Sequence, residues 1–184
     1  MNNESVQLGP VRTEDSALLW QWINARPLVI LSSSYRPIHE SSHQEWFANI
    51  PRQRDCVFFA IRLVPGDVLI GTCQLHSIQP VHRSAELQIR IGHPDSRGKC
   101  YGADALNQLL EFGFRDLNLN RIHLHVLPGN HAALRLYERC RFQREGRLRS
   151  AAFIDGQYHD VLLMSLLRDE YLASRAETTG GGEA

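Results

Sequence analysis

A glycine-bearing loop between a strand-like and a helix-like segment is the feature that most constrains how this chain folds. The loop reads Arg97-Gly98-Lys99-Cys100-Tyr101-Gly102; it follows the alternating run Ala85–Ile91 and opens the helical pattern Gly102–Leu117. The first N–H groups of a helix have no acceptor inside the helix, and the helix dipole adds positive potential there. The two glycines allow close backbone approach and unusual dihedral angles, and the two basic residues add charge. The loop therefore predicts a cradle for a pyrophosphate; taken alone, it also fits a tight strand-to-helix turn.

Composition limits the classes of protein to consider. The 184 residues are 43% hydrophobic and 22% charged, which is ordinary for one globular domain with a sizeable core. The formal net charge is zero, so no basic field favours nucleic acid or an anionic membrane as a partner. No apolar run reaches membrane-spanning length, and the polar segment Met1–Gln7 does not resemble a signal peptide. These features predict a cytoplasmic protein.

Metal binding is not expected. None of the four cysteines forms a CxxC pair, which argues against a structural zinc site. His123 and His125 alternate on a predicted strand and therefore project from one face, as the start of a metal site would. No further ligand at a suitable spacing supports them, so packed or solvent-facing histidines are the expectation.

Periodicity predicts a single α/β domain over residues 1–173, followed by a disordered tail over 174–184. The predicted strands are Val6–Val11, Cys56–Leu63, Val68–His76, Arg83–Ile91, Arg121–Leu127, Phe142–Ala152 and Tyr158–Leu167. Helices are predicted from Thr13 or Asp15 to about Ala25, from Ser41 or Ser42 to Ile50, from Gly102 to Leu117, and from the cap Asn130 to about Arg139. The segment Leu28–Ile38 is expected to be an irregular loop. Antiparallel hairpins followed by a β-α-β unit indicate a mixed, mostly antiparallel central sheet flanked by helices.

Three segments in this order resemble the GNAT superfamily of acetyl-CoA-dependent N-acetyltransferases, and its RimJ/RimL-like branch in particular. They are the strand segment Ala85–Ile89, the loop 97–102, and Asn130–Arg139 with Phe142 after it. The last is similar to the family pattern Asn-x-x-Ala-x-x-x-Tyr-Glu-Lys/Arg. The resemblance spans about Val6–Leu167. Cys100 and Arg141 stand where the family usually has glycine, and side-chain-bearing residues resist a positive φ.

The resemblance implies an acetyl transfer in which an amine attacks the thioester of acetyl-CoA directly in a ternary complex. Tyr137 would then lie by the cofactor sulfur and donate to the departing thiolate. It also lies on the apolar stripe of its helix, so a pure core role stays open. Glu86 would be the base, directly or through water; the alternative is a solvated glutamate paired with Arg90.

The same resemblance implies where acetyl-CoA would be held. The strand residues Ile89, Arg90 and Ile91 would offer backbone groups to the pantetheine arm, and Arg97, Gly98, Lys99, Cys100, Tyr101 and Gly102 would bind the pyrophosphate. Asn130 would contact the pantetheine, cap its helix, or do both. Tyr137 would complete the cofactor site.

The acceptor is less constrained. The family's acceptor pocket would here draw on the first two helices and the last hairpin, which offer mainly aromatic and basic side chains: Trp22, Arg26, Tyr35, Arg36, His39, Glu40, Trp46, Phe153 and Tyr158. That composition argues against a polyamine, which would want several carboxylates. It is compatible with a protein N-terminus, an amino sugar or another small amine. A homodimer is left open.

Two other classes compete with an N-acetyltransferase. A non-catalytic acyl-CoA-binding module is suggested by Cys100 and Arg141 at the family's glycine positions. A dinucleotide-binding oxidoreductase would also have a glycine-rich loop after a strand. The chain has no GxGxxG pattern and no acidic residue about twenty positions further on, which disfavours the oxidoreductase.

Overall fold

A computed structural model describes residues 5–180 and places seven strands in one sheet. The strands are β1 (Ser5–Gly9), β2 (Val57–Val64), β3 (Val68–Gln79), β4 (Ser84–Ile91), β5 (Arg121–Val126), β6 (Gln143–Ile154) and β7 (Gln157–Leu167). The α-helices are α1 (Ser16–Asn24), α2 (Arg26–Val29), α3 (Glu40–Asn49), α4 (Tyr101–Glu111), α5 (His131–Arg139) and α6 (Arg168–Gly180). A π-helical segment, Phe112–Asp116, continues α4.

The strand order is β1-β2-β3-β4-β5-β7-β6. Only the β4–β5 pair is parallel, and the other neighbours are antiparallel. The parallel pair is the expected consequence of a helical crossover, because α4 carries the chain from the end of β4 back to the start of β5. The predicted mixed, mostly antiparallel sheet with flanking helices is confirmed.

The parallel pair separates after three residues. Ser84–Glu86 of β4 faces Arg121–His123 of β5, and no further ladder pair joins these two strands in the described chain. β4 nevertheless stays paired with β3 as far as Ile91, and β5 stays paired with β7 as far as Val126. The sheet therefore opens into a wedge, and the β5 side of β4 beyond Glu86 has free backbone hydrogen-bonding groups.

Helix α4 covers one face of the sheet. Its apolar residues recur at helical spacing, so Leu106, Leu109 and Leu110 all lie in the main core and are almost fully buried. The amide of Gln108 also ties the helix to β1, accepting from Leu8 N–H at 3.1 Å and donating to the Val6 carbonyl at 2.8 Å. These contacts fix the body of α4 relative to the sheet.

A second cluster packs helices α1 and α2 on the opposite face. Its members are Leu19, Trp22, Leu28, Ala60 and Leu69. Ala60 on β2 and Leu69 on β3 are each adjacent in the sequence to a residue of the main cluster. Because successive strand residues point to opposite faces, Ala60 and Leu69 face away from the main cluster. The sheet thus separates a large core under α4 from a smaller one under α1 and α2.

Two segments differ from the sequence prediction. The expected loop Leu28–Ile38 begins inside α2, because Leu28 and Val29 are buried beneath the sheet's second face. The expected tail from Ser174 is helical as far as Gly180, and residues 181–184 lie outside the described range. Helix α6 is anchored by Tyr171, whose ring stacks on Phe114 at 4.9 Å between centroids. Within residues 5–180, no helix is long and apolar enough to cross a membrane.

Candidate active site

The loop after β4 turns into α4 through two residues of positive φ. Gly98 has φ +75°, and Cys100, the N-cap of α4, has φ +66°. Gly102 is inside the helix and has no positive φ, so the unusual dihedral predicted for it belongs to Cys100 instead. A Cβ on Gly102 would make only ordinary contacts, 3.6 Å from Leu136 and 3.8 Å from Ile91. Gly102 therefore has neither a special conformation nor an approach so close that a Cβ would be excluded.

Arg97 helps to shape the loop. Its guanidinium donates to the carbonyl of Ile91 at 3.1 Å and to that of Gly92 at 2.8 Å. These bonds tie the loop back to the end of β4 and orient the first turn of α4. The guanidinium of Arg97, which the sequence assigns to ligand binding, is thus hydrogen-bonded to backbone carbonyls.

A cavity of about 620 Å³ lies between the end of β4, this loop and helix α5. We call it the loop cavity; it includes every predicted cofactor-binding residue except Lys99. Its lining residues are Leu28, Leu31, Ser32, Ile89, Arg90, Ile91, Ser96, Arg97, Gly98, Cys100, Tyr101, Gly102, Ala103, Asn130, Ala132, Ala133, Arg135, Leu136, Tyr137 and Arg139. The structure therefore brings the strand and loop motifs together with the motif on α5, which is well separated from them in the chain.

Two arginines of α5 were not predicted from the sequence as binding residues. Arg135 and Arg139 both line the loop cavity, and Arg139 contacts the Cys100 sulfur at 3.5 Å. Their i, i+4 spacing places them on one face of α5, and that spacing is the signal in the sequence that could have identified them. They add two cations to the lining of the cavity.

Tyr137 belongs to both the core and the loop cavity. Its side chain is buried, its ring packs on Phe142 at 5.7 Å between centroids, and it lines the cavity. Burial disfavours the phenolate and raises the pKa of Tyr137 to about 12. The hydroxyl is therefore protonated at neutral pH and available as a hydrogen-bond donor.

Asn130 caps α5, as the sequence indicates. Its side-chain oxygen accepts from the Ala133 N–H at 3.2 Å, and its amide nitrogen donates to the Leu31 carbonyl at 3.1 Å. The second bond attaches the start of α5 to the segment after α2, which forms another wall of the loop cavity.

Glu86 is held by a histidine rather than by Arg90. Its carboxylate accepts from the Nδ1 of His125 at 2.8 Å, across the short parallel pairing. His123 and His125 do share a face, with ring centroids 6.1 Å apart, and burial is the main cause of the lowered pKa of His123. No group of three potential metal ligands occurs among the side chains that the structure describes. Glu86 lies outside the lining of the loop cavity, on the same strand face as Gln88 and Arg90.

A second cavity, of about 480 Å³, lies on that face between the sheet and helices α1 and α3. We call it the aromatic cavity; it meets the loop cavity at Arg90, which lines both. Its lining residues are Leu19, Trp22, Ile23, Ser33, Ile38, Ser42, His43, Trp46, Phe58, Thr72, Cys73, Gln74, Gln88 and Arg90.

The predicted acceptor residues divide between this cavity and the surface. Trp22 and Trp46 line the aromatic cavity. Arg26 instead pairs with Asp155 at the tip of the last hairpin, and Phe153 and Tyr158 form an exposed ring pair there. The walls of the cavity come from α1, the segment between α2 and α3, α3 and the strands, and neither Phe153 nor Tyr158 is part of the lining.

Comparison with known proteins identifies the family. Residues 5–143 match the model described as the acetyltransferase (GNAT) domain. The chain belongs to this family, and the resemblance inferred from its motifs is confirmed. Its assignment to the RimJ/RimL-like branch stays a prediction.

Individual relatives align over part of their length. The chain is 44% identical over 104 residues to a spermidine N(1)-acetyltransferase of Vibrio cholerae, covering 56% of this chain and 60% of the relative. It is 32% identical over 103 residues to the putative ribosomal N-acetyltransferase YdaF of Bacillus subtilis, covering 56% of each. The sequence alignments thus span about three fifths or less of these two relatives.

The fold agrees over a longer range. A crystal structure of spermidine N-acetyltransferase from Vibrio cholerae in complex with CoA and spermine matches with a TM-score of 0.84 and 32% identity. The match covers 91% of this chain and 98% of that one. The seven-stranded sheet with its flanking helices is therefore the architecture of that enzyme.

Proposed function

We propose that this protein is an N-acetyltransferase that moves an acetyl group from acetyl-CoA to a primary amine. The observation that carries the proposal is the loop cavity, which joins the N-terminus of α4, the open edge of β4 and Tyr137 in one space. Membership of the GNAT family and the structural match to a CoA-bound relative support it.

Acetyl-CoA fits this cavity chemically. The first-turn N–H groups of α4 and the guanidiniums of Arg135 and Arg139 suit the pyrophosphate and phosphate groups. The pantetheine arm carries two amides, and the free edge of β4 from Leu87 to Arg90 can pair with them as a neighbouring strand would. Arg97 and Lys99 have a smaller part than the sequence suggested, since Arg97 is bound to the carbonyls of Ile91 and Gly92 and Lys99 is not in the lining.

The reaction needs a proton acceptor and a donor. The neutral amine attacks the thioester carbonyl, a C–N bond forms, and the C–S bond breaks when the tetrahedral intermediate collapses. Tyr137 donates to the departing thiolate, for which its raised pKa keeps it protonated. Glu86 lies two residues before Gln88 on β4, but it lines neither cavity. The amine proton therefore passes to Glu86 through water. His125 holds the carboxylate in place.

Glu86→Gln tests the base. The variant should lower the rate by about a hundredfold and remove the acidic limb of the pH–rate profile, because the amide cannot take a proton. His125→Gln is the matched variant, since it removes the partner but keeps the carboxylate, and its profile should keep the limb. An unchanged profile in Glu86→Gln would assign the proton to bulk water.

The acceptor panel should begin with spermidine, the substrate named for the Vibrio cholerae relative, and should include peptides, amino sugars and small amines. The assay follows release of free thiol from acetyl-CoA, with CoA binding measured separately as a thermal shift. Thiol release that depends on an added amine is the expected result. CoA binding without turnover of any amine would instead support a non-catalytic acyl-CoA-binding module.

A further inference from the structure

The side chain of Arg90 is a cation without a counter-charge at the junction of the two cavities. It projects from the β4 face opposite the main core, and it lines both the loop cavity and the aromatic cavity. Among the described residues, no carboxylate pairs with its guanidinium and no acceptor is hydrogen-bonded to it. Burial, with no compensating charge nearby, lowers the pKa of Arg90. A partly desolvated guanidinium of this kind is best satisfied by an anion.

The surroundings of Arg90 add no negative charge. None of the described residues lining the aromatic cavity is acidic. Thr72 is its cross-strand neighbour on β3, and Gln88 and Gln74, bonded to each other, come next along the same face. From the helices, the cavity is lined by Trp22 of α1, by Trp46, and by His43, which is bonded to the Ser16 carbonyl at 2.9 Å. An anion at Arg90 would therefore have to arrive with a ligand.

The rest of the aromatic cavity is mostly apolar. The rings of Trp46 and Phe58 meet edge to face at 5.5 Å between centroids, and Leu19, Trp22, Ile23 and Ile38 complete the apolar lining. This cavity can hold an aromatic or branched aliphatic group, while Arg90 stands where it opens toward the loop cavity.

Building on the proposed function, we propose that the acceptor is an α-amino acid with an aromatic or apolar side chain. Its carboxylate pairs with the Arg90 guanidinium, its side chain occupies the aromatic cavity, and its amine faces the acetyl group in the loop cavity. The carboxylate and amine of an amino acid are attached to the same carbon, so a carboxylate held at the junction keeps the amine beside it. The pairing would supply the counter-charge that no described group of the protein gives to Arg90.

The same geometry disfavours a polyamine. Spermidine keeps positive charge on its other amines while one is acetylated, and those charges would enter a space that contains Arg90 and no described carboxylate. The difference from the spermidine acetyltransferase relatives would thus lie in the acceptor site, whereas the acetyl-CoA site is shared.

The test compares acceptors that differ only in the carboxylate. The kcat/KM values for L-phenylalanine, L-phenylalaninamide and spermidine are measured for the wild type, Arg90→Gln and Arg90→Lys, each corrected for the fraction of neutral amine. The wild type should prefer the amino acid. Arg90→Gln should reduce kcat/KM for L-phenylalanine about ten- to a hundredfold, the usual scale for a hydrogen-bonded charge, and should change the amide value much less. Arg90→Lys should restore part of the loss.

Two outcomes would overturn the proposal while leaving acetyl transfer intact. One is equal or better use of the amide or of spermidine by the wild type. The other is an equal loss for the acid and the amide in Arg90→Gln, which would make Arg90 a structural or acetyl-CoA-binding residue.

If the protein acetylates none of these amines, ligand binding still tests the anion site. The thermal shift of the CoA complex with N-acetyl-L-phenylalanine and with its amide is then compared. A shift with the acid alone, lost in Arg90→Gln, supports the anion site even though the proposed transfer fails. No shift with either compound rejects the anion site, and the CoA shift itself shows that the loop cavity is functional.

Discussion

The loop cavity and the aromatic cavity meet at one residue but are built in different ways. The loop cavity rests on backbone: a helix N-terminus, the open edge of β4 and two residues of positive φ. The aromatic cavity rests on side chains contributed by α1, the segment between α2 and α3, α3 and three strands. A ligand bound by backbone groups depends on the path of the chain, whereas a ligand bound by side chains depends on which residues happen to face it. The first site can be shared by a whole family, and the second can change from one member to another.

The largest effect is expected from a charge placed in the backbone-built site. Gly102→Asp should abolish most of the thermal shift caused by CoA, because its carboxylate would stand against the pyrophosphate at the first turn of α4. Gly102→Ala is the matched control, since a Cβ there makes only ordinary contacts and should keep most of the shift. Retention of the full shift in Gly102→Asp would show that the pyrophosphate binds elsewhere.

Tyr137→Phe acts on the chemistry while leaving both cavities in place. The phenyl ring keeps its packing on Phe142, and only the donor is lost. The turnover number should fall about ten- to a thousandfold, with the CoA shift little changed. Steady-state rates and the thermal shift are measured on the same preparation. Turnover at the wild-type rate would reduce Tyr137 to a core residue.

Trp46→Ala tests the independence of the side-chain-built site. The indole contacts Phe58 and His43 and lines the aromatic cavity, so its removal should raise the acceptor KM about tenfold and leave the CoA shift unchanged. Leu148→Ala, a truncation of an exposed side chain on β6, is the control. A loss of CoA binding in Trp46→Ala would mean that the two cavities are coupled.

The smallest effect concerns Cys100. This thiol is exposed and lines the loop cavity, whereas Cys73 and Cys140 are buried and burial raises the pKa of both, that of Cys140 to about 11. Iodoacetamide should therefore label Cys100 several times faster than these two, and CoA should slow that labelling. Mass spectrometry of peptides gives both rates. Labelling that CoA does not slow would place bound CoA away from the α4 N-terminus.

The backbone-built half could be predicted from the sequence because its signals are local. Loop, strand and helix follow one another from Ala85 onward, and the cap Asn130 with Tyr137 repeats a family pattern. The two family glycine positions show the limit of such patterns. Cys100 and Arg141 both have positive φ, at +66° and +68°, so the chain keeps the path that glycine would ease. The path survives because the surrounding structure holds it, and that support cannot be seen in six residues.

The side-chain-built half could not be predicted in the same way. Trp22 and Trp46 were expected in the acceptor site, but Arg26 pairs with Asp155, and Glu86 pairs with His125 rather than with Arg90. These partners are 129 and 39 positions apart in the chain, so no periodicity or spacing links them. The position of Arg90 between the two cavities likewise depends on where α1 and α3 settle on the sheet.

The wedge between β4 and β5 has a mechanical consequence. Three paired positions are all that the parallel ladder contributes, so the sheet consists of two leaves, β1–β4 and β5–β7, that share a short hinge. An open strand edge at the rim of a sheet can pair with another protein. The open edge of β4 instead faces β5 within the same sheet, where a second protein cannot easily reach it. An extended ligand seated in the wedge would bridge the two leaves as a missing strand would, and the molecule would become stiffer on binding without any change in its fold.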